Sequence, residues 1–308
     1  MKKSTTLLAS VVAFCLVCGV ACGQPLGTLG FDFYAGWQGG DKQTLTAASD
    51  GPFPGALFRS VKLDVPNDGF WLGGGADAKI GNDLNLIVQG WYLLPSNSDG
   101  SIVLDPGATP VQIPAGVTSN VDWWYIDALG AYRLSGPFSG VLGVRVDHHN
   151  FYTDDPAILN ILFFPLPTQM RLDLNVLSTI PYFGFQWGPS DGVSLRVVYS
   201  PLGWITAEST LSQNNNIARP LNVLGGEGGF TKKKFFELFL EYSGEVTPAT
   251  RLAIFGRGTW LQGTTDTDLR ESLLNGSAEY GISYYSVSWT LGAKATVLFD
   301  IPAFLRSW

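Results

Sequence analysis

Period-two alternation of apolar and polar residues recurs along most of this 308-residue chain, and it restricts the possible fold more than any other feature. In 251–261, Leu252, Ile254 and Trp260 have one parity, whereas Arg251 and Arg257 have the other. Residues two apart lie on the same face of a strand, so such runs predict strands with one apolar face. We place ten strands, at 28–38, 69–80, 84–94, 120–134, 139–152, 170–187, 193–205, 232–246, 251–262 and 279–299.

The connections between these strands alternate in length. Short turn signals stand at GND 81–83, SGP 135–137, GPSDG 188–192 and TPAT 247–250. Between them lie longer polar or proline-bearing segments, at 39–68, 95–119, 153–169, 206–231 and 263–278. This order predicts an antiparallel up-and-down arrangement with all long loops at one end, which a soluble sandwich has no reason to adopt.

The composition indicates that the apolar face meets lipid. Only 15% of the residues are charged, whereas a soluble domain usually carries about 25%. No run of about 20 apolar residues follows the N-terminal segment, which excludes membrane-spanning helices. The net charge of −7, with no basic domain, argues against a nucleic-acid partner. The predicted fold class is an all-β transmembrane antiparallel up-and-down β-barrel of about ten strands, within a range of eight to twelve.

Aromatic residues support a barrel that crosses a membrane, because amphipathic rings settle at both membrane interfaces. At the strand ends next to the short turns we expect Tyr132, Phe138, Trp187 and Phe299 to form one girdle. Near the long loops we expect a second girdle from Trp37, Trp71, Trp91, Trp123, Trp124, Tyr152, Trp204, Phe235, Phe236, Trp260, Tyr284 and Tyr285.

The last predicted strand carries Thr290, Gly292, Ala295, Val297 and Phe299 at alternating positions. With the strand pattern, this resembles the assembly signal of bacterial outer-membrane β-barrel proteins in general, without matching one family. The resemblance implies short periplasmic turns, long extracellular loops, both termini in the periplasm, membrane lipid and lipopolysaccharide as surroundings, and insertion by the barrel assembly machinery. It further implies a monomer.

The N-terminus reads as a signal peptide over residues 1–23, followed by one barrel domain over 24–308. Lys2 and Lys3 precede an apolar stretch, and small residues then offer a cleavage zone. All three cysteines lie in this segment, at Cys15, Cys18 and Cys22, so the mature chain is expected to contain no disulfide. A lipid anchor on Cys22 is the alternative, although Gly19 stands where a lipobox normally has leucine.

Charged residues at inward positions form the main candidate site. Asp32 and Asp77 are among them, and the predicted lumen charge network comprises Asp127, Arg133, Arg145, Asp147, Asp173, Arg196, Glu237, Glu241, Glu245, Arg251, Arg257 and Lys294. Buried charges must be paired, so these residues predict either a salt-bridged plug or a constriction that selects solutes. Ten strands are close to the size at which side chains fill the interior, which favours the plug.

Three further features carry weaker predictions. Lys232, Lys233 and Lys234 stand at a strand start, where they could contact lipopolysaccharide phosphates or simply reach the interface. His148 and His149 point to opposite faces, so they cannot chelate one ion together, and we expect no metal and no cofactor. The chain resembles omptin-type proteases in strand number and length only, since its histidines fall in a different loop, and we predict no catalytic residue.

Three functions remain open from the residues alone. The first is a structural barrel or narrow solute channel with a largely plugged lumen and no catalytic chemistry. The second is a rim hydrolase, either omptin-like or lipid-modifying. The third is a surface adhesin or receptor that acts through its loops.

Overall fold

The computed structural model describes residues 26–40, 43–48, 60–65, 68–94, 97–105, 111–153, 169–188, 192–214, 220–230, 232–271 and 276–300. These residues form fifteen strands: β1 Leu26–Gly40, β2 Gln43–Ala48, β3 Ser60–Val65, β4 Gly69–Ile80, β5 Leu84–Leu93, β6 Asn97–Asp105, β7 Val111–Ser135, β8 Phe138–Thr153, β9 Gln169–Trp187, β10 Gly192–Ser200, β11 Trp204–Asn214, β12 Pro220–Phe230, β13 Lys232–Thr247, β14 Thr250–Glu271 and β15 Gly276–Asp300. No helix within these ranges is long and apolar enough to cross a membrane.

The strands close into a ten-stranded antiparallel barrel. Neighbouring wall strands pair in chain order, and β15 returns to pair with β1 from Leu291↔Trp37 to Phe299↔Leu29. The seventh wall strand consists of β10 and β11, and the eighth consists of β12 and β13. Closure leaves no unpaired sheet edge in the wall, which is the requirement for a sheet that lies in lipid.

Most wall strands continue beyond the part of the barrel that β1, β4 and β5 form. There β2 pairs with β15, β3 with β2, β6 with β3, and β7 with β6, so the sheet also stays continuous beyond the ends of β1, β4 and β5. We call this side of the barrel the extension end and the side with the short turns the turn end. The 25 residues of β7 span roughly 80 Å along the strand at about 3.3 Å per residue.

The two faces of the wall differ as the alternation requires. Large apolar side chains point outward and are exposed, among them Phe33 at 62%, Leu142 at 71%, Ile254 at 65% and Leu291 at 61%. Inward positions hold the buried polar and charged side chains, including Asp127, Arg145 and Glu237. The turn end is built with tight turns, and Gly81 and Gly136 adopt φ of 60° and 54° there, a left-handed conformation that glycine reaches without strain.

The predicted fold class is confirmed, and so are the short turns at 81–83, 135–137 and 247–250, whereas residues 189–191 of the fourth lie outside the described residues. The predicted long loops at 39–68, 95–119, 206–231 and 263–278 are wrong in part, because strands β2, β3, β6, β11 and β12 and the extended ends of β7, β14 and β15 occupy them. Polar, glycine-bearing sequences form strands there because backbone pairing with a neighbour can continue without an apolar face. The predicted signal peptide, most of 153–169 and the tail after 300 lie outside the described residues.

The aromatic prediction holds at one end and fails in part at the other. Tyr132, Phe138, Trp187 and Phe299 are all exposed on the outer face of the turn end. At the extension end Trp37, Phe236 and Tyr285 are exposed as expected, but Trp71, Trp91, Trp123 and Phe235 are buried inside the barrel. The reason is that each of these aromatics stands an even number of residues from an inward residue of its own strand, so its side chain also points inward. The inward residues are Asp77, Gln89, Asp127 and Glu237, in the same order.

Candidate functional site

Glu237 of β13 lies at the centre of the barrel interior and binds three arginines from three other strands. Arg145 Nη2 donates to Glu237 Oε2 at 2.5 Å, Arg257 Nε donates to the same oxygen at 2.8 Å, and Arg196 Nη2 donates to Oε1 at 3.3 Å. Glu237 and Arg145 are each 1% exposed. One carboxylate therefore joins β8, β10, β13 and β14 across the lumen.

Asp127 of β7 extends this cluster to further strands. It accepts a second bond from Arg145 Nη2 at 3.1 Å, one from Tyr182 Oη at 2.5 Å and one from Gln89 Nε2 at 3.1 Å. We call Asp127, Arg145, Arg196, Glu237 and Arg257 the plug. With Gln89 and Tyr182, it draws on seven of the ten wall strands and crosses the lumen from side to side.

Aromatic rings fill the space between these ions. The Arg145 guanidinium lies 4.7 Å from the Tyr125 ring centroid and 4.8 Å from that of Phe235, and the Arg196 guanidinium lies 4.9 Å from the Phe239 ring. Arg257 also donates to the Tyr125 hydroxyl. Cation–π contacts strengthen when water is excluded, so the rings both stabilise the arginines and close the gaps around them.

A second layer of rings covers the plug toward the extension end. Trp71 packs edge-on against Trp123 with centroids 4.9 Å apart, and Trp91 stacks near Tyr125 at 6.1 Å. All four side chains are at least nine-tenths buried. The plug and these rings therefore occupy successive levels of the lumen of a narrow, ten-stranded barrel.

Asp147 and His149 form a buried pair in the same layer. They stand two apart on β8 and therefore share the inner face, with His149 Nε2 2.8 Å from Asp147 Oδ1. Trp123 Nε1 donates to the same oxygen at 2.5 Å, and its ring lies 4.1 Å from the His149 ring. His148 points outward and stacks on Trp124. The described ranges contain no group of three or more His, Cys, Asp or Glu side chains that could hold a metal ion.

A polar cavity of about 140 Å³ lies on the other side of the plug. Its lining includes three acids (Asp32, Asp77, Glu241) and three bases (Arg196, Arg251, Lys294), and we call it the chamber. Three of the lining residues, Asn85, Gln186 and Arg251, lie within two residues of a short turn, so the chamber adjoins the turn end. One water needs about 10–15 Å³ of such volume, so the chamber has room for on the order of ten waters.

One ion pair and two hydrogen bonds hold side chains of the chamber wall in place. Lys294 Nζ lies 2.7 Å from Glu241 Oε2. Asp32 accepts from Tyr34 Oη at 2.7 Å and from Thr296 Oγ1 at 2.5 Å. The Asp77 carboxylate packs over Gly30, where a Cβ atom would overlap it, so the absence of a side chain at Gly30 leaves room for Asp77 in this position.

Eleven of the twelve predicted network residues divide into four groups. The plug contains Asp127, Arg145, Arg196, Glu237 and Arg257, and the chamber wall contains Glu241, Arg251 and Lys294. Asp147 belongs to the histidine pair instead. The prediction was wrong for Arg133 and Glu245, which do not belong to the network. Both stand at the turn end and are exposed, and Arg133 Nε donates to the Gly136 carbonyl. The side chain of Asp173 lies outside the described residues.

Arg257 pairs with Phe239 in the ladder, which places it diagonal to both Glu237 and Glu241. Its ion pair forms with Glu237, whereas Glu241 binds Lys294. The uncharged members Gln89, Tyr125 and Tyr182 were missed. Their signal was available, since each is a polar or amphipathic residue at an inward parity.

No family model matches the chain, and no curated protein matches it. Among solved structures it is similar to the outer membrane protease OmpT from Escherichia coli, with a TM-score of 0.65, 12% identity, and coverage of 88% of this chain and 97% of that one. The outer membrane protein OprG from Pseudomonas aeruginosa matches with a TM-score of 0.36 and 10% identity, over 90% of this chain and 98% of that one. The similarity to OmpT shows that the chain has the fold of a bacterial outer-membrane β-barrel protein.

Proposed function

We propose that this protein is an outer-membrane β-barrel with a closed lumen, a structural barrel or narrow solute path without catalytic chemistry. The observation that carries the proposal is Glu237 with its three buried arginines, which lies across the lumen of a ten-stranded barrel. A hydrocarbon band about 25 Å tall covers only part of strands as long as β7. The extension end then projects outside the cell, and the turn end and both termini face the periplasm.

Planar-bilayer recording tests the closed lumen. We expect purified wild-type protein to give no steady conductance at ±100 mV in 1 M KCl. The double substitution E237A/R145A removes side-chain volume and charge from both sides of the central ion pair, and it should produce discrete current steps. E245Q, at the exposed turn end, is the matched control and should stay silent. A steady ohmic conductance from the wild-type protein would refute the proposal.

The surrounding membrane supplies the partners that we propose. Lys234 is exposed beside the outward Phe236, at the extension side of β13. A lysine at this level can reach lipopolysaccharide phosphates. Lys232 and Lys233 share the segment, although their side chains lie outside the described residues. Replacing all three by glutamine should weaken retention on lipopolysaccharide-coated beads at low salt, and equal retention would remove this part of the proposal. We further propose a monomer, inserted by the barrel assembly machinery.

A rim hydrolase is the second candidate, because the chain shares its fold with a protein described as a protease and contains the Asp147–His149 pair. The geometry favours the non-catalytic alternative. His149 is 2% exposed and lies against Trp123, which leaves little room for a substrate or an attacking water. A fluorogenic peptide mixture and a phospholipid ester should both remain intact with the wild type. Hydrolysis that H149A abolishes would establish the enzyme instead.

A further inference from the structure

We propose that the chamber binds a small zwitterion of the amino-acid class, with its ammonium group at Asp77 and its carboxylate at Arg196. The inference goes beyond the closed lumen, because the chamber lies on the turn-end side of the plug and is separate from it. It depends on the charges, hydrogen bonds and volume of the chamber.

The formal charges on the two sides of the chamber are unequal and opposite. In the plug, three arginines face two acids, Glu237 and Asp127, which leaves one positive charge in excess. On the remaining chamber wall, three acids (Asp32, Asp77, Glu241) face two bases (Arg251, Lys294), which leaves one negative charge in excess. A zwitterion is the ligand that matches both excesses and adds no net charge to a buried site.

The positive pole has unused donor capacity. Arg196 lines the chamber and is 7% exposed. Its Nη2 binds Glu237, but its buried Nε has no hydrogen-bond partner within the described part of the chain. A buried donor without a partner is costly, and a carboxylate is the acceptor that a guanidinium binds most strongly.

The negative pole has unused acceptor capacity. Both oxygens of Asp32 already accept protein hydrogen bonds, from Tyr34 and Thr296. Asp77 stands beside Asp32, and no hydrogen bond from another side chain reaches its carboxylate within the described ranges. Gly30 leaves the space into which this carboxylate fits. An ammonium group with three donors suits Asp77 at this position.

The strands that carry the two poles lie on opposite sides of the lumen. Asp77 lies on β4 and Arg196 on β10, five positions apart around a ten-strand wall, which makes the two strands diametrically opposed. A ligand that reaches both must therefore carry its ammonium and carboxylate on separate ends of a short chain. The chamber volume of about 140 Å³ admits such a molecule with a few waters.

The test is equilibrium binding of radiolabelled γ-aminobutyrate to the full chain refolded into phosphatidylcholine vesicles. We expect saturable binding with one site per barrel. Unlabelled γ-aminobutyrate should displace the label, whereas n-butylamine and butyrate, which each carry one of the two charged groups, should compete at least tenfold more weakly. Absence of saturable binding, or equal competition by either control, overturns the proposal.

Variants locate the site. D77N should weaken binding at least tenfold, because one charge-assisted hydrogen bond is lost. G30A keeps every charge but displaces the Asp77 carboxylate, and it should weaken binding similarly. E245Q, which removes an exposed acid near the same end, should bind as the wild type does. Heat-modified gel mobility checks that each variant is folded. Unchanged binding by folded D77N, or an equal loss in E245Q, overturns the assignment. Conductance measured on the same vesicle preparation reports separately on the closed lumen.

Discussion

Replacing Glu237 by glutamine tests the claim that one carboxylate holds the barrel interior together. Glutamine has nearly the same volume, so the substitution removes charge and leaves packing in place. The three arginines Arg145, Arg196 and Arg257 then share a single nearby acid, Asp127, which contacts only the first of them.

The expected magnitude follows from the charges that remain. Guanidinium groups bound to one carboxylate lie roughly 5 Å apart, and two unit charges at that distance repel by about 3 kcal/mol at an effective dielectric constant of 20. Removing one partner of a buried ion pair typically costs about 3–5 kcal/mol. Because the glutamine carbonyl still accepts hydrogen bonds, we expect E237Q to lower the free energy of unfolding by about 3 kcal/mol and E237A to lower it by about 5 kcal/mol.

Urea unfolding of the protein in lipid vesicles, followed by tryptophan fluorescence, measures this loss. The sequence contains ten tryptophans, of which Trp71, Trp91 and Trp123 line the lumen near the plug, so the signal reports on the relevant region. E245Q removes an exposed acid that lies opposite Arg251 in the ladder, and it should cost less than about 1 kcal/mol.

A double substitution separates charge imbalance from loss of shape. E237Q/R196Q removes one positive charge along with the negative one, so it should recover part of the stability that E237Q loses. Adjacent groups in one ion network normally show interaction free energies of about 0.5–3 kcal/mol. If E237Q is as stable as E245Q, or if the double variant loses the sum of both single losses, the plug does not act as an electrostatic unit.

Three further predictions concern other parts of the barrel. L142R places a cation on the outward, 71% exposed position of β8. It should destabilise the barrel in vesicles by about 2–4 kcal/mol, as measured by urea unfolding. In the same assay R133A, at the exposed turn end, should destabilise it by less than about 0.5 kcal/mol. W123F removes the indole bond to Asp147 and should cost about 1–3 kcal/mol, while W124F, on the outer face, should cost less; equal losses would contradict the inward role of Trp123. In far-ultraviolet circular dichroism, G36V should fold less completely than G244V, because a side chain at Gly36 would meet the backbone of Leu291, whereas Gly244 faces open space.

The alternation of apolar and polar residues allowed most of the fold to be predicted. Apolar residues that alternate with polar ones identify strands wherever one face meets lipid, which is why β4 was predicted with both its ends, at 69–80. Where the wall leaves lipid, neither face needs to be apolar, and the pattern disappears. Strands such as β11 and β12 pair through backbone groups that every residue has, so side-chain alternation did not reveal them.

The site was predictable as a set of inward charges but not as a set of pairs. Pairing depends on register and on side-chain reach across the lumen, and neither follows from one strand alone. Arg145 and Glu237 are 92 residues apart, and their wall strands are separated by two others, yet their ion pair, at 2.5 Å, is the shortest among the described residues. Turn-adjacent residues such as Glu245 have the right parity but stand where water reaches them, which the parity of a single strand does not indicate.

The plug and the chamber impose opposite demands on the same barrel. A plug must exclude water, because the attraction between Glu237 and its arginines rises as the effective dielectric constant falls. The chamber must admit water, since the Arg196 Nε has no hydrogen-bond partner in the described part of the chain, and no other side chain donates a hydrogen bond to Asp77 there. Arg196 lies at the boundary and takes part in both, with Nη2 on Glu237 and Nε without a partner in the described part of the chain.

Replacing Arg196 by lysine should therefore disturb two properties together, since lysine has one ammonium group where arginine has a forked guanidinium. R196K should lower the unfolding midpoint and weaken γ-aminobutyrate binding, whereas R257K, which lies in the plug but does not line the chamber, should lower the midpoint alone. Equal binding by folded R196K and the wild type would show that the two regions do not share this residue.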